Sequence, residues 1–119
     1  MNNRFSKLVQ SFLTSYIIGE CNYSMNTKAS YSTTFYLLTK FMNDIHHVKP
    51  NNIEIVSINK SLIIEFLDYL ETERDASVET RNQRLACIKS FFKFVQINEP
   101  DLFETCTLIL SIKNKKVPN

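Results

Sequence analysis

A chain of 119 residues that is 44% hydrophobic and 22% charged has the length of one domain and the balance of a globule with a real core. No run approaches the roughly 18 apolar residues of a membrane span. Met1-Asn2-Asn3-Arg4 leads into an amphipathic stretch rather than a signal core, so a cytoplasmic chain is expected. The net charge of +2 is small, but its distribution is uneven. Residues 1–43 hold four basic side chains against one acidic, residues 44–75 three against seven, and residues 76–119 seven against four. Basic ends around an acidic middle suggest that one basic face is built from the ends.

The elements read as helices throughout. From Phe5 the apolar residues fall at Phe5, Leu8, Val9, Phe12, Leu13, Tyr16 and Ile17, the spacing of one helical face, and Gly19, the single glycine, is expected to end that helix. A second helix is predicted from Ser24, with Tyr31, Phe35, Leu38, Phe41, Met42 and Ile45 on its apolar side, stopping before Pro50. Residues 51–57 alternate briefly around Ile53 and Ile55 and are read as a loop. Asn59 is a suitable cap for a third helix with Leu62, Ile63, Phe66, Leu67 and Leu70 on one face, ending near Arg74. Ser77 opens a fourth, whose body from Leu85 to Val95 is apolar over more than half its circumference and therefore expected between other helices. Glu99-Pro100 breaks it, and Leu102, Phe103, Cys106, Ile109 and Leu110 outline a short fifth helix. The tail from Lys113 to Asn119 is polar, basic and interrupted by Pro118, and reads as a linker.

Several chemistries find no support. Cys21, Cys87 and Cys106 are odd in number and form no Cys-x-x-Cys pair, so buried or idle thiols are expected rather than a disulfide framework or zinc site. His46-His47 lacks a spaced ligand partner and reads as a loop pair. One glycine argues against a phosphate-cradling loop, and no cofactor or metal is expected.

The segment Ser77-Val78-Glu79-Thr80-Arg81-Asn82-Gln83-Arg84-Leu85-Ala86-Cys87-Ile88-Lys89-Ser90-Phe91-Phe92-Lys93-Phe94 places a capped, basic helix start ahead of an apolar body. It resembles the last large helix of the N-terminal core-binding domain of tyrosine recombinases, in which Ser-x-x-Thr-x-Asn-x-Arg-Leu-Ala-x-Ile-(Arg/Lys)-Ser-Phe-Phe-(Arg/Lys)-Phe recurs. Upstream, Ser24-Met25-Asn26-Thr27 through Tyr31, and Ile58-Asn59 through Phe66-Leu67-Asp68-Tyr69-Leu70, are similar to the family's second and third helices in order and spacing. The likeness runs from about Phe5 to Val95, and Glu99-Pro100 with Ile109 to Lys116 resembles the corresponding region of transposon-borne and integron-like members. Leu62 stands where an acidic residue is common, Asp75-Ala76 where Gly-Leu is frequent, and Gln83 where an arginine is frequent.

The resemblance implies an all-α fold, a compact SAM-like bundle of four to five helices spanning residues 1–112, with 113–119 a basic linker toward a catalytic domain absent from this sequence. It implies half of a clamp around double-stranded DNA at a recombination site, in the integration and recombination of a mobile element. Expected partners are that catalytic domain of the same parent protein and neighbouring subunits of a tetrameric synapse, with no membrane involved. Carried over residue by residue, the DNA contacts are Thr27, Lys28, Ser30 and Tyr31 on the second helix, and Thr80, Arg81, Gln83, Arg84 and Lys89 on the fourth. Arg84 and Gln83 suit base edges, while Lys28, Lys89 and Lys93 suit phosphates. Tyr31 equally suits a core edge, Thr80 a reinforced helix start, and Phe91, Phe92 and Phe94 a core.

The family's chemistry needs a tyrosine nucleophile with arginines, a lysine and histidines around the phosphate. No His-x-x-Arg and no tyrosine near the C-terminus is present, so this chain is expected to bind DNA and not to cleave it. The alternative is a helical protein–protein assembly module without DNA binding. Replacing Arg81 and Arg84 together with alanine is expected to separate the two readings, because salt-dependent DNA binding would weaken while partner binding would not.

Overall fold

The computed structural model describes residues 3–20 and 25–118. Five α-helices, α1 Arg4–Ser11, α2 Met25–His46, α3 Lys60–Glu73, α4 Val78–Asn98 and α5 Phe103–Leu110, carry the fold, and no strand occurs among the described residues. None of these helices is long and apolar enough to cross a membrane. The chain divides into two compact units, Met1–Ser57 and Ile58–Asn119.

In the first unit, Asn3 starts α1 by accepting the Ser6 N–H on its side-chain oxygen at 2.9 Å, which satisfies one donor of the opening turn. Its side-chain amide donates to the carbonyls of Asn51 and Ile53, so one residue both caps a helix and ties it to a segment 50 residues on. Phe5, Leu8 and Phe12 are buried as the spacing requires. The described part of this helix closes within one residue of Gly19. The chain passes at Phe12 into a π-helix, Phe12–Glu20, that runs through the glycine.

The predicted start of the next helix at Ser24 lies outside the described residues. In α2 the residues Phe35, Leu38, Phe41 and Met42 are buried, but Ile45 is exposed because the helix ends one residue later. The interval 51–57, read as a loop, holds most of one single 3-10 turn, Pro50–Asn52, and all of a second, Ile55–Ser57, and it buries Ile53 and Ile55.

In the second unit, Asn59 caps α3 by accepting the Leu62 N–H at 2.9 Å, and Ser77 caps α4 by accepting the Thr80 N–H at 3.1 Å, both as predicted. α4 lies against both α3 and α5. It contributes Leu85, Ile88, Phe91, Phe92 and Val95 to a core with Ile63, Phe66, Leu67 and Leu70 of α3 and Cys106 and Ile109 of α5. Pro100 starts a 3-10 turn, Pro100–Leu102, that leads into α5. Phe103, predicted on the apolar face of that helix, is 56% exposed, since the buried stripe runs Leu102, Cys106 and Ile109 in steps of four and three and Phe103 lies one residue out of that phase. Burial pushes the Cys106 thiol up to about 11, which keeps it protonated and unreactive at neutral pH.

α2 and α3 end in the same way. His47 and Asp75 both take φ 58°, and the N–H that follows each reaches back over the last turn: Val48 donates to the Met42 carbonyl at 3.0 Å and Ala76 to the Leu70 carbonyl at 2.9 Å. Left-handed backbone is the reason a glycine suits the position of Asp75, and aspartate is one of the few other residues that tolerates it. Asp75→Gly is therefore expected to stabilise the chain by up to about 1 kcal/mol, a rise in Tm of about 4 °C in a calorimetric scan. An unchanged or lower Tm would mean that the aspartate side chain offsets the backbone strain.

Candidate nucleic-acid interface

The start of α4 is built by its cap. Besides accepting the Thr80 N–H, the Ser77 hydroxyl donates to Thr80 Oγ1 at 3.1 Å, so Thr80 is held half-buried against the first turn. From Thr80 to Asn98 the helix carries Arg81, Arg84, Lys89 and Lys93 and no acidic residue. Its core stripe, Leu85, Ile88, Phe92 and Val95, advances by alternating steps of three and four residues. Ser90, Gln83 and Ala86 fall on the opposite side, with Lys93 at its margin and Lys89 on the flank beside Leu85, and of these Gln83, Ala86 and Lys93 are exposed while Lys89 and Ser90 are half-buried. Arg84 is half-buried on another side of the helix.

Arg81 is not on the outward surface. It lies four residues before Leu85, in phase with the core stripe, and its side chain is only 9% exposed. Its Nε sits 2.6 Å from Glu71 Oε1, a close ion contact rather than an aligned hydrogen bond, and a terminal nitrogen donates to Asp68 Oδ1 at 3.4 Å. A guanidinium withdrawn from water requires such carboxylates, and α3 supplies both from successive turns of one face. Sequence reasoning missed Asp68 and Glu71. The signal was available: Arg81, Leu85, Ile88, Phe92 and Val95 keep one helical phase, and a cation in that phase needs an internal partner.

The tail joins this cluster. Lys115 Nζ lies 3.0 and 3.2 Å from the two Glu71 carboxylate oxygens. Asn82 grips the Lys115 backbone from both sides, its amide donating to the Lys115 carbonyl at 2.8 Å and its oxygen accepting the Lys115 N–H at 2.9 Å. Residues 113–118 have no regular structure, but at Lys115 they are fastened to α3 and α4.

The other expected contacts lie in the first unit, on the first two turns of α2. Thr27 and Lys28 are half-buried and Ser30 is exposed. Tyr31 is half-buried with its ring edge-on to Phe12 at 5.3 Å, so the core-edge alternative describes its ring, whatever its hydroxyl does. Phe91 and Phe92 stack edge-to-face at 5.0 Å and are fully buried, which removes them as base-stacking platforms. Among the described residues no group of three or more His, Cys, Asp or Glu side chains could hold a metal ion.

A family model described as the phage integrase, N-terminal SAM-like domain, matches residues 9–97 of this chain. The chain therefore belongs to that family, the helical N-terminal domain of tyrosine-recombinase integrases, and its all-helical fold agrees. Among curated proteins, two inferred integrase/recombinases of Sinorhizobium fredii (strain NBRC 101917 / NGR234), y4rD and y4rC, are each 32% identical to it over 109 residues. That alignment covers 92% of this chain but only 39% and 33% of those two proteins, so the chain spans little more than a third of the length of these relatives. No solved structure gives a significant match.

Proposed function

We propose that this chain binds double-stranded DNA as the N-terminal half-clamp of a tyrosine-type site-specific recombinase, acting in DNA integration and recombination. The observation that carries this reading is α4 itself, which from Thr80 to Asn98 has no acid and, besides the inward Arg81, carries Arg84, Lys89 and Lys93, with Lys93 and Gln83 turned away from its core stripe and Lys89 on its flank. Lysines there suit phosphates, and Gln83 with Arg84 at the helix start suits base edges. Thr27, Lys28 and Ser30 at the start of α2 are the second set of contacts in this reading. Arg81 takes a different part, holding the start of α4 to α3 from inside. The catalytic domain of the parent recombinase and neighbouring subunits of a tetrameric synapse are the remaining proposed partners, and cleavage chemistry is assigned to that other domain.

The test is fluorescence anisotropy of a labelled duplex across a salt series. Each phosphate contact contributes about 0.9 to the slope of log K against log salt, so Lys89→Ala with Lys93→Ala is expected to flatten the slope by about 2 and to weaken binding alike on every sequence. Gln83→Ala should leave the slope unchanged and reduce discrimination between sites. A double variant with the slope of the parent chain would remove α4 from the DNA surface.

A second reading rests on a separate observation. Ile97 at the end of α4 and Phe103 and Leu108 of α5 are large apolar side chains more than half exposed, as an assembly surface would present. Under that reading the chain holds protein partners, and the lysine variants leave its associations intact.

A further inference from the structure

The tail residue Lys115 is held more tightly than a linker requires. Three separate groups engage it: the Asn82 amide on its carbonyl at 2.8 Å, the Asn82 oxygen on its N–H at 2.9 Å, and the Glu71 carboxylate on its ammonium at 3.0 and 3.2 Å. An asparagine side chain that both donates to and accepts from one residue's backbone reproduces the pairing of two strand residues. Such a grip reads backbone geometry and fixes direction as well as position. Glu71 adds the side chain, and it is itself fixed by Arg81 Nε at 2.6 Å, so the carboxylate that receives Lys115 is already oriented. Lys60 Nζ donates to Ser111 Oγ at 3.0 Å, which ties the chain to α3 a second time four residues earlier.

We infer that residues 111–115 form a latch that seats the outgoing chain on α3 and α4, with Asn82 as the residue that positions it. Asn82 lies between Arg81, which faces inward, and Gln83, which faces outward. The turn of α4 that presents a side chain to solvent is therefore the same turn that sets the direction in which the chain leaves the unit. This inference stands whether the outward face of α4 meets DNA or protein, because every contact in it is internal to the Ile58–Asn119 unit.

Trypsin reads the latch directly, since Lys113, Lys115 and Lys116 flank or form it. Cleavage at a held segment follows the population of its open form when opening is fast. Asn82→Ala in the full chain should speed cleavage after these lysines about tenfold, the effect of losing a paired hydrogen bond. Native-state amide exchange of Lys115 should accelerate to match. Lys115→Pro removes the same N–H and the ammonium from the tail side without touching a helix, and cleavage after Lys113 and Lys116 should rise by a similar factor at unchanged Tm. Both variants accelerating cleavage supports the latch. Rates equal to those of the parent chain in either variant, or a Lys115 amide that exchanges as fast as an unstructured peptide in the parent, would overturn it.

Discussion

Arg81→Ala is expected to destabilise the Ile58–Asn119 unit by about 3 kcal/mol, the lower end of the cost of breaking a buried ion pair. The side chain is 9% exposed and its nearer partner, Glu71, only 19%, so truncation leaves a carboxylate largely out of water. Lys115 remains 3.0 Å from that carboxylate and limits the loss, while Asp68 is 62% exposed and rehydrates readily. Urea unfolding at neutral pH checks the figure, and Arg81→Lys, which keeps the charge and loses the planar fork, should fall between the parent and the alanine variant. A cost below about 0.5 kcal/mol would show that the cluster is solvated and adds little. The result also bears on DNA binding. An Arg81→Ala plus Arg84→Ala variant would lose affinity through loss of fold as readily as through loss of contact, so Lys89 and Lys93 are the better probes of α4.

Phe12→Ala should cost the first unit about 4 kcal/mol, within the range for deleting a buried phenylalanine. Phe12 is fully buried, and its ring meets Tyr16 at 5.6 Å, Tyr31 at 5.3 Å and Phe35 at 6.1 Å. It joins α1, the π-helix and α2 at one point, and aromatic pairs of this geometry contribute beyond their area. The chain has no tryptophan, so near-ultraviolet dichroism reports its tyrosines and phenylalanines, and loss of the tyrosine signal from Tyr16 and Tyr31 should coincide with unfolding of this unit. By contrast Tyr31→Phe keeps the ring on Phe12 and should leave stability within about 0.5 kcal/mol of the parent. If Tyr31→Phe lowered DNA affinity at the same time, the hydroxyl rather than the ring would be the contact.

The local features of the fold are legible in the sequence, and the features that are not depend on phase, helix ends or distant partners. Asn59 and Ser77 announced their helices because a cap is a local event, one side chain and one N–H three residues on. The buried stripes of α3 and α4 were legible from period alone. Gly19 marked the described end of its helix, Glu20, to within one residue, while the left-handed residues that close α2 and α3 fall on His47 and Asp75. Ile45 has inward spacing but sits one residue from a helix end, and Phe103 is apolar but lies out of phase with Leu102, Cys106 and Ile109. Arg81 is placed on the DNA surface by the family resemblance, while its helical phase points inward, where it is 9% exposed. The hold on Lys115 was illegible, because it joins residues 33 and 44 apart in the chain.

The absence of acid from the body of α4 has its counterpart in α3, where Lys60 is the single cation beside Glu65, Asp68, Glu71 and Glu73. Residues 58–119 carry nine basic and nine acidic side chains, so this unit has no net attraction to a polyanion. What it has is charge sorted by helix. Under the DNA-binding reading such a body feels a torque before it feels a pull, and an encounter that presents Glu65 and Glu73 of α3 is disfavoured against one that presents Lys89 and Lys93 of α4. Selection of the correct face would begin during diffusion, and added salt would slow the productive encounter by blurring orientation.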